Sequence, residues 1–163
     1  MTNLAMYNLT SSDGTTAQAG LGDEIDVGGA RYRYVKASGA VAAYACCHVT
    51  AAGLAIEATT TLVGTAARPT TICIPQFALA TDEYGWAPVG PFGPFREDGA
   101  TKFKVLAANA ATSVRLYTTG TAGVLDDAVT TGLIAGLSLT ETVTTQEAAD
   151  CVAATRLVSF CEL

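Results

Sequence analysis

The sequence predicts an all-β fold: a single antiparallel sandwich or barrel-like domain over residues 23–163, preceded by an extended N-terminal arm over 1–22. Three observations predict it. Apolar residues recur with a period of two in several separate runs, the pattern of half-buried strands. Turn signals divide those runs at a spacing of roughly 8–15 residues, which suits a sandwich or barrel rather than alternating strands and helices. Thr and Ala dominate throughout, and Thr favours a pleated surface.

Residues 1–22 are polar, rich in Thr, Ser and Gly, and lack a helical period; Leu4, Met6 and Leu9 are the apolar anchors. The segment reads as an arm that orders against another surface, or as a frayed terminus. From Asp23 the period becomes two. RYRYVK at 31–36 sets Arg31, Arg33 and Val35 against Tyr32, Tyr34 and Lys36. TKFKVL at 101–106, SVRLY at 113–117 and GLIAGLSLTETV at 132–143 alternate likewise, the last placing Leu133, Ala135, Leu137, Leu139 and Val143 on one face. TICIPQFAL at 71–79 changes parity at Pro75, which cannot donate to a ladder, so a bulge or break is expected there. Asp13-Gly14, Gly28-Gly29, Ser38-Gly39, Asp98-Gly99, Gly120, Gly123 and Gly132 mark turns. Two short stretches, Ala40–Val49 and Thr145–Asp150, have enough helix formers for a turn of helix, but neither builds a helical layer.

A chain of 163 residues can bury roughly 68–70% of its unfolded surface and needs no metal or disulfide to hold a core. Half the residues are hydrophobic and only 15% are charged, which suggests that partners cover part of the apolar surface. The most apolar long stretch, 37–58, is interrupted by Tyr44, His48, Thr50 and Glu57, so no membrane span is expected. The first residues show no signal-peptide pattern, and the Asn8-Leu9-Thr10 sequon therefore carries no weight. With a net charge of −6 and no cluster of Lys or Arg, a nucleic-acid grip is not expected. The five cysteines, Cys46, Cys47, Cys73, Cys151 and Cys161, cannot all pair within one chain. Cys46 and Cys47 would point to opposite faces of a strand, and reduced, buried thiols are the simpler account.

No catalytic constellation is evident, and no enzyme activity, metal or cofactor is expected. The single histidine, His48, adjoins Cys47, but neighbouring side chains on a strand diverge, which spoils a local dyad; a satisfied, partly buried imidazole is the plainer reading. There is no C-x-x-C or H-x-x-x-H spacing for zinc. The acidic doublets Asp23-Glu24, Asp82-Glu83, Glu97-Asp98 and Asp126-Asp127 lack the spaced pattern of a calcium loop and read as turn carboxylates. Phosphate-cradling glycine patterns are missing. The one aromatic concentration is DEYGWAPVGPFGPF at 82–95, with Tyr84 and Trp86 on one strand face and Phe92 and Phe95 following. It reads as a core-and-edge cluster, as an interface centre, or as a stacking platform for sugars.

The order of three segments resembles a family of tailed-phage capsid decoration, or cement, proteins. These segments are GDEIDVGGARYRYVKASGAVAA (22–43), FALATDEYGWAPVGPF (77–92) and KVLAANAATSVRLYTTGTAGVLDDAVTTGLIAGLSL (104–139), the last followed by CVAATRLV (151–158). The resemblance covers most of residues 22–160 as a pattern of similar short segments rather than one diagnostic motif. It implies a non-enzymatic homotrimer made in the host cytoplasm, which binds the major capsid protein on the outer surface of the virion and reinforces the shell. On that reading Leu4, Met6, Leu9, Tyr84, Trp86, Phe92 and Phe95 are candidate interface residues, and the arm adds a strand to a capsid-protein edge. The alternative is a glycan-binding module of a virion fibre that uses Tyr84, Trp86 and Phe92.

Overall fold

A computed structural model describes residues 7–61, 71–90, 103–104, 114–127, 133–139, 151–152 and 157–159. Its regular elements are strands, and only Thr60 and Thr61 carry helical backbone among the described residues. The fold is all-β and barrel-like.

The principal sheet contains β1 (Glu24–Val27), β2 (Ala30–Ala37), β3 (Cys47–Val49), β4 (Leu54–Glu57), β5 (Ile72–Cys73) and β6 (Tyr84–Gly90). The hairpin β1–β2 turns on Gly28 and Gly29, both at positive φ (56° and 81°), a two-residue loop whose left-handed backbone glycine enters without steric cost. Along β2 the odd and even positions separate as the alternation requires: Tyr32 and Tyr34 face one way, Val35 and Ala37 the other. Strand β6 pairs antiparallel along one edge of β2, with a register shift between Arg31 and Tyr32 that leaves room for Val89 beside Pro88. On the other edge β4 runs parallel to β2 through Lys36↔Leu54 and Ala37↔Ala55. The sheet is therefore mixed, a correction to the purely antiparallel expectation. Because β3 is itself antiparallel to β4, the chain after β2 must turn back before it can supply β4 alongside.

The order β6-β2-β4-β3-β5 curls until its ends meet, where the Ile74 amide donates to the Pro88 carbonyl at 3.1 Å. The inward side chains are small: Val35, Ala37, Cys47, Val49, Ala55, Cys73 and Ala87, capped by Val41, Ala45 and Leu79. A narrow curled sheet admits little volume per strand, which small side chains such as Ala and Cys suit. At one end Arg33 donates to Glu24 Oε1 through Nε at 2.9 Å and to Thr71 Oγ1 through Nη1 at 3.2 Å, tying β1 to the residue before β5. Strand β5 stops before Pro75, where the change of parity predicted a break, and Val41 and Leu79 then form an isolated antiparallel bridge.

The remaining described strands form two further sheets. Strand β7 (Phe103–Lys104) pairs with β11 (Cys151–Val152), and the order β12-β10-β8-β9 joins β8 (Val114–Thr118), β9 (Leu125–Asp126), β10 (Leu133–Leu139) and β12 (Leu157–Ser159), all antiparallel. The register of β10 against β8 shifts between Leu133 and Ser138, where β10 carries more residues than β8 sets opposite them. The β8–β9 turn docks on the principal sheet: the Cys46 amide donates to the Gly123 carbonyl and the Gly123 amide to the Ala58 carbonyl, both at 2.9 Å.

The expectation of helix over Ala40–Val49 is corrected. Val41 bridges Leu79, Tyr44 takes a left-handed φ of 64°, and Cys47–Val49 is strand β3. Alanine's helix propensity loses to the burial of Val41, Ala45, Cys47 and Val49 in the core. Thr145–Asp150 and the turns at Asp98-Gly99 and Gly132 lie outside the described residues.

Candidate functional site

The aromatic concentration of the sequence becomes the outer face of the β2/β6 pair. The register places Tyr34 opposite Trp86 and Lys36 opposite Tyr84. The Tyr34 ring lies 5.0 Å from that of Trp86 and stacks at 5.9 Å on Tyr84, with planes 17° apart. Lys36 Nζ sits 5.6 Å from the Tyr84 ring centroid and 2.6 Å from Asp82 Oδ1, so it serves both the ring face and the carboxylate.

The described part of the N-terminal segment lies over this face as a strap. Tyr7 meets Trp86 edge-on, with centroids 5.2 Å apart and planes at 79°. Leu9, Ala19, Ile25 and Val27 pack on the cluster of Ala30, Tyr32, Tyr34 and Trp86. The backbone is tied down as well: the Asp13 amide donates to the Tyr84 carbonyl and the Tyr84 amide to the Gly14 carbonyl, both at 2.9 Å, which adds a bridge to the edge of β6. The Tyr34 hydroxyl donates to Asp13 Oδ2 at 2.8 Å and accepts from the Gln18 amide at 2.9 Å. Burial, with the Asp13 carboxylate beside it, pushes the Tyr34 phenol up to about 12.

Of the candidate interface residues, Trp86 is 3% exposed within a single chain, and Leu9 and Tyr84 are half-buried around it. The structure brings these three together. Leu4, Met6, Phe92 and Phe95 lie outside the described residues. Asn8 does not stand free as a sequon would suggest: its Oδ1 accepts from the Ser11 amide at 3.2 Å in a local turn. Among the described residues Leu21 is the large hydrophobic side chain left exposed, at 41%. There the apolar side chains fill the barrel interior and lie beneath the strap.

The other side chains considered for chemistry are dispersed. His48 lies on the outer face of β3, opposite Ile56 of β4 and Ile72 of β5, while Cys47 and Cys73 point inward. Its Nδ1 is buried and has no hydrogen-bond partner among the described residues, so the satisfied imidazole expected from sequence is corrected: the two isoleucine side chains beside it offer no acceptor. Burial lowers its pKa. The acidic side chains serve turns and ion pairs. Asp23 Oδ2 accepts from the Gly20 amide, Glu83 Oε2 from the Ala80 amide, and Glu24 and Asp26 face Arg33 and Arg31. Asp127 is raised by burial and by its neighbour Asp126. Glu97-Asp98 lies outside the described residues. No group of three or more His, Cys, Asp or Glu among the described residues is placed to hold a metal ion. Cys46, Cys47 and Cys73 are buried free thiols. No helix is long and apolar enough to cross a membrane among those residues.

The strap was the feature sequence reasoning missed. Its polar composition concealed that a few anchors, Tyr7, Leu9 and Ala19, spaced along an otherwise hydrophilic run, are enough to cover an aromatic face when backbone hydrogen bonds supply the rest. Compared with known proteins, the chain matches no family model, no curated protein and no solved structure.

Proposed function

We propose that this chain is a structural protein of a tailed-phage virion, a decoration or cement protein that binds the outer surface of the mature capsid and stabilises the shell. It is made in the host cytoplasm, assembles as a homotrimer and takes the major capsid protein as its partner; nucleic acid and membrane are not partners. The observation that carries the reading is the filled barrel. Side chains of five strands occupy its interior, so a partner of the described residues meets the outer surface of the sheet. The ordered resemblance of residues 22–160 to decoration proteins supplies the specific role.

The strap refines how docking would work. Residues 13 and 14 already bridge β6, so strand addition to the capsid falls to residues 1–6 or requires the strap to leave its own sheet. The glycan-binding alternative is less favoured. A sugar platform needs open ring faces, and Trp86 lies beneath Tyr7.

The test is co-sedimentation of the purified full chain with expanded, DNA-filled capsids, alongside the solution mass of the free protein. Saturable binding, a trimer mass and a raised temperature of capsid rupture are expected. A monomer that sediments with no viral shell overturns the proposal. Deleting residues 2–6 and, separately, 2–22 then locates the docking segment.

A further inference from the structure

We propose that Cys47 and Cys73 form a latent cross-strand disulfide: two thiols held opposite one another inside the curled sheet, which a low-molecular-weight disulfide oxidises to a bond stapling β3 to β5. The inference does not depend on the virion reading. Its basis is register. Cys47 pairs with Cys73, His48 pairs with Ile72, and beyond them the Val49 amide donates to the Thr71 carbonyl at 2.9 Å. Directly opposed residues of an antiparallel pair have Cα atoms roughly 4.5–5.5 Å apart and side chains on the same face. The Val49–Thr71 bond makes Cys47 and Cys73 a hydrogen-bonded pair with Cα atoms about 5.5 Å apart, inside the roughly 4.4–6.8 Å that a disulfide needs. Their Cβ atoms start wider than the about 3.5–4.5 Å of a closed bridge, so closure draws the two strands slightly together. Both cysteines are 0% exposed within one core cluster, and both are free thiols.

Cys46 is excluded as a competitor by the same alternation. It is the chain neighbour of Cys47 and therefore faces away, and its backbone is committed to Gly123 and Ala58. The Cys47 thiol is held well above its ordinary value by its hydrogen bond to Cys73 and by burial, so little thiolate exists in the closed sheet. Oxidation therefore waits on local opening. The β3–β5 seam is the element suited to open: β5 is two residues long, and Pro75 follows with no amide to extend the ladder.

The chemistry balances with glutathione disulfide as oxidant. One cysteine thiolate attacks its S–S bond, giving a mixed disulfide and expelling one glutathione thiolate. The second cysteine thiolate attacks the protein sulfur of that mixed disulfide, closing the Cys47–Cys73 bond and expelling the second glutathione. Two electrons pass to glutathione, and the two protons lost by the cysteines end on its thiols. The bond closes the chain between residues 47 and 73 and restricts the unfolded state.

The experiment uses the full chain with glutathione disulfide, in buffer and in denaturant just below the unfolding transition, followed by alkylation, peptide mapping and thermal melts. A Cys47–Cys73 peptide, a mass lower by about 2 Da and a Tm raised by about 5–10 °C are expected, all reversed by dithiothreitol. Cys47→Ala and Cys73→Ala should each abolish the bond and the shift, and Cys46→Ala should keep both. A bond to another cysteine overturns the proposal, as does a stable glutathione adduct, a bond that appears only after global unfolding, or a bond that leaves Tm unchanged or lower. The dithiothreitol reversal on the unmodified sequence keeps the test decisive even where a variant folds poorly.

Discussion

The hydroxyl of Tyr34 on β2 donates to the carboxylate of Asp13 at 2.8 Å while accepting from the amide of Gln18 at 2.9 Å, so one phenol holds both limbs of the strap. Tyr34→Phe removes both contacts and keeps the ring stack. It should cost about 1–2 kcal/mol, because the Gln18 amide loses its acceptor and Asp13 its donor. Urea unfolding checks the magnitude, and faster amide exchange in residues 13–20 identifies the strap as the segment released. An unchanged exchange pattern would mean the phenol does not hold the strap.

The same group sets an alkaline limit. Its pKa is raised from 10.0 to about 12 in the folded chain, so the native state keeps the proton more tightly than the unfolded one. That contribution is complete below about pH 10 and is lost as the pH rises towards 12. Ultraviolet titration should show one tyrosinate forming near the top of that window. Stability should fall across the same interval, and Tyr34→Phe should flatten the fall.

Trp86 is the chain's one tryptophan and lies between Tyr7 and Tyr34, 3% exposed. Its emission should be blue-shifted and resistant to acrylamide in the monomer as well as in any oligomer. Trp86→Ala should cost about 3–5 kcal/mol by leaving a cavity under the strap. A loss below about 0.5 kcal/mol, with red-shifted emission in the parent chain, would place the ring at the surface.

Gly123 has a φ of +73°, and a Cβ there would lie 2.6 Å from Ala45 Cβ. Gly123→Ala should destabilise by about 2 kcal/mol or more, through backbone strain and displacement of the β8–β9 turn from the principal sheet. Gly120→Ala, in the same turn with open space around its Cβ position, should stay within about 0.5 kcal/mol of the parent. Thermal or urea unfolding of the two variants side by side separates strain from turn composition.

His48, as the one histidine, can be followed alone by NMR. Burial lowers its pKa below the ordinary 6.5, so the native state binds the proton less readily than the unfolded state. The contribution is present above pH 6.5 and is lost as the pH falls through the folded value. His48→Leu, set between Ile56 and Ile72, should be neutral or stabilising and should remove the fall in stability that begins as the pH drops below 6.5. A His48 pKa at or above 6.5 would contradict the assignment.

Much of the principal sheet was legible because the local period and the burial agree. In RYRYVK the alternation needs no distant information to separate Tyr32 and Tyr34 from Val35, and the Gly28-Gly29 hairpin follows from φ alone. The parity change at Pro75 was legible for the same reason: a missing amide is a property of one residue. Ala40–Val49 misled because alanine is small enough for a helix or for a crowded barrel interior, and only the available volume chooses. The bulge in β10 was hidden because a register shift depends on the partner strand, β8.

The candidate site was half legible. Tyr84 and Trp86 were correctly placed on one face, yet nothing in their spacing says whether a partner or the chain itself covers that face.

Taken alone, then, the order of residues determined the all-β class, the main hairpin, the break before Pro75 and the divergence of Cys46 from Cys47. Each rests on bond geometry within a few residues. Tertiary structure decided the parallel pairing of β2 with β4, the strap over Trp86 and the meeting of Cys47 with Cys73. Those depend on which distant segments compete to cover the same apolar surface, and that contest is resolved by burial and backbone hydrogen bonding across the whole chain.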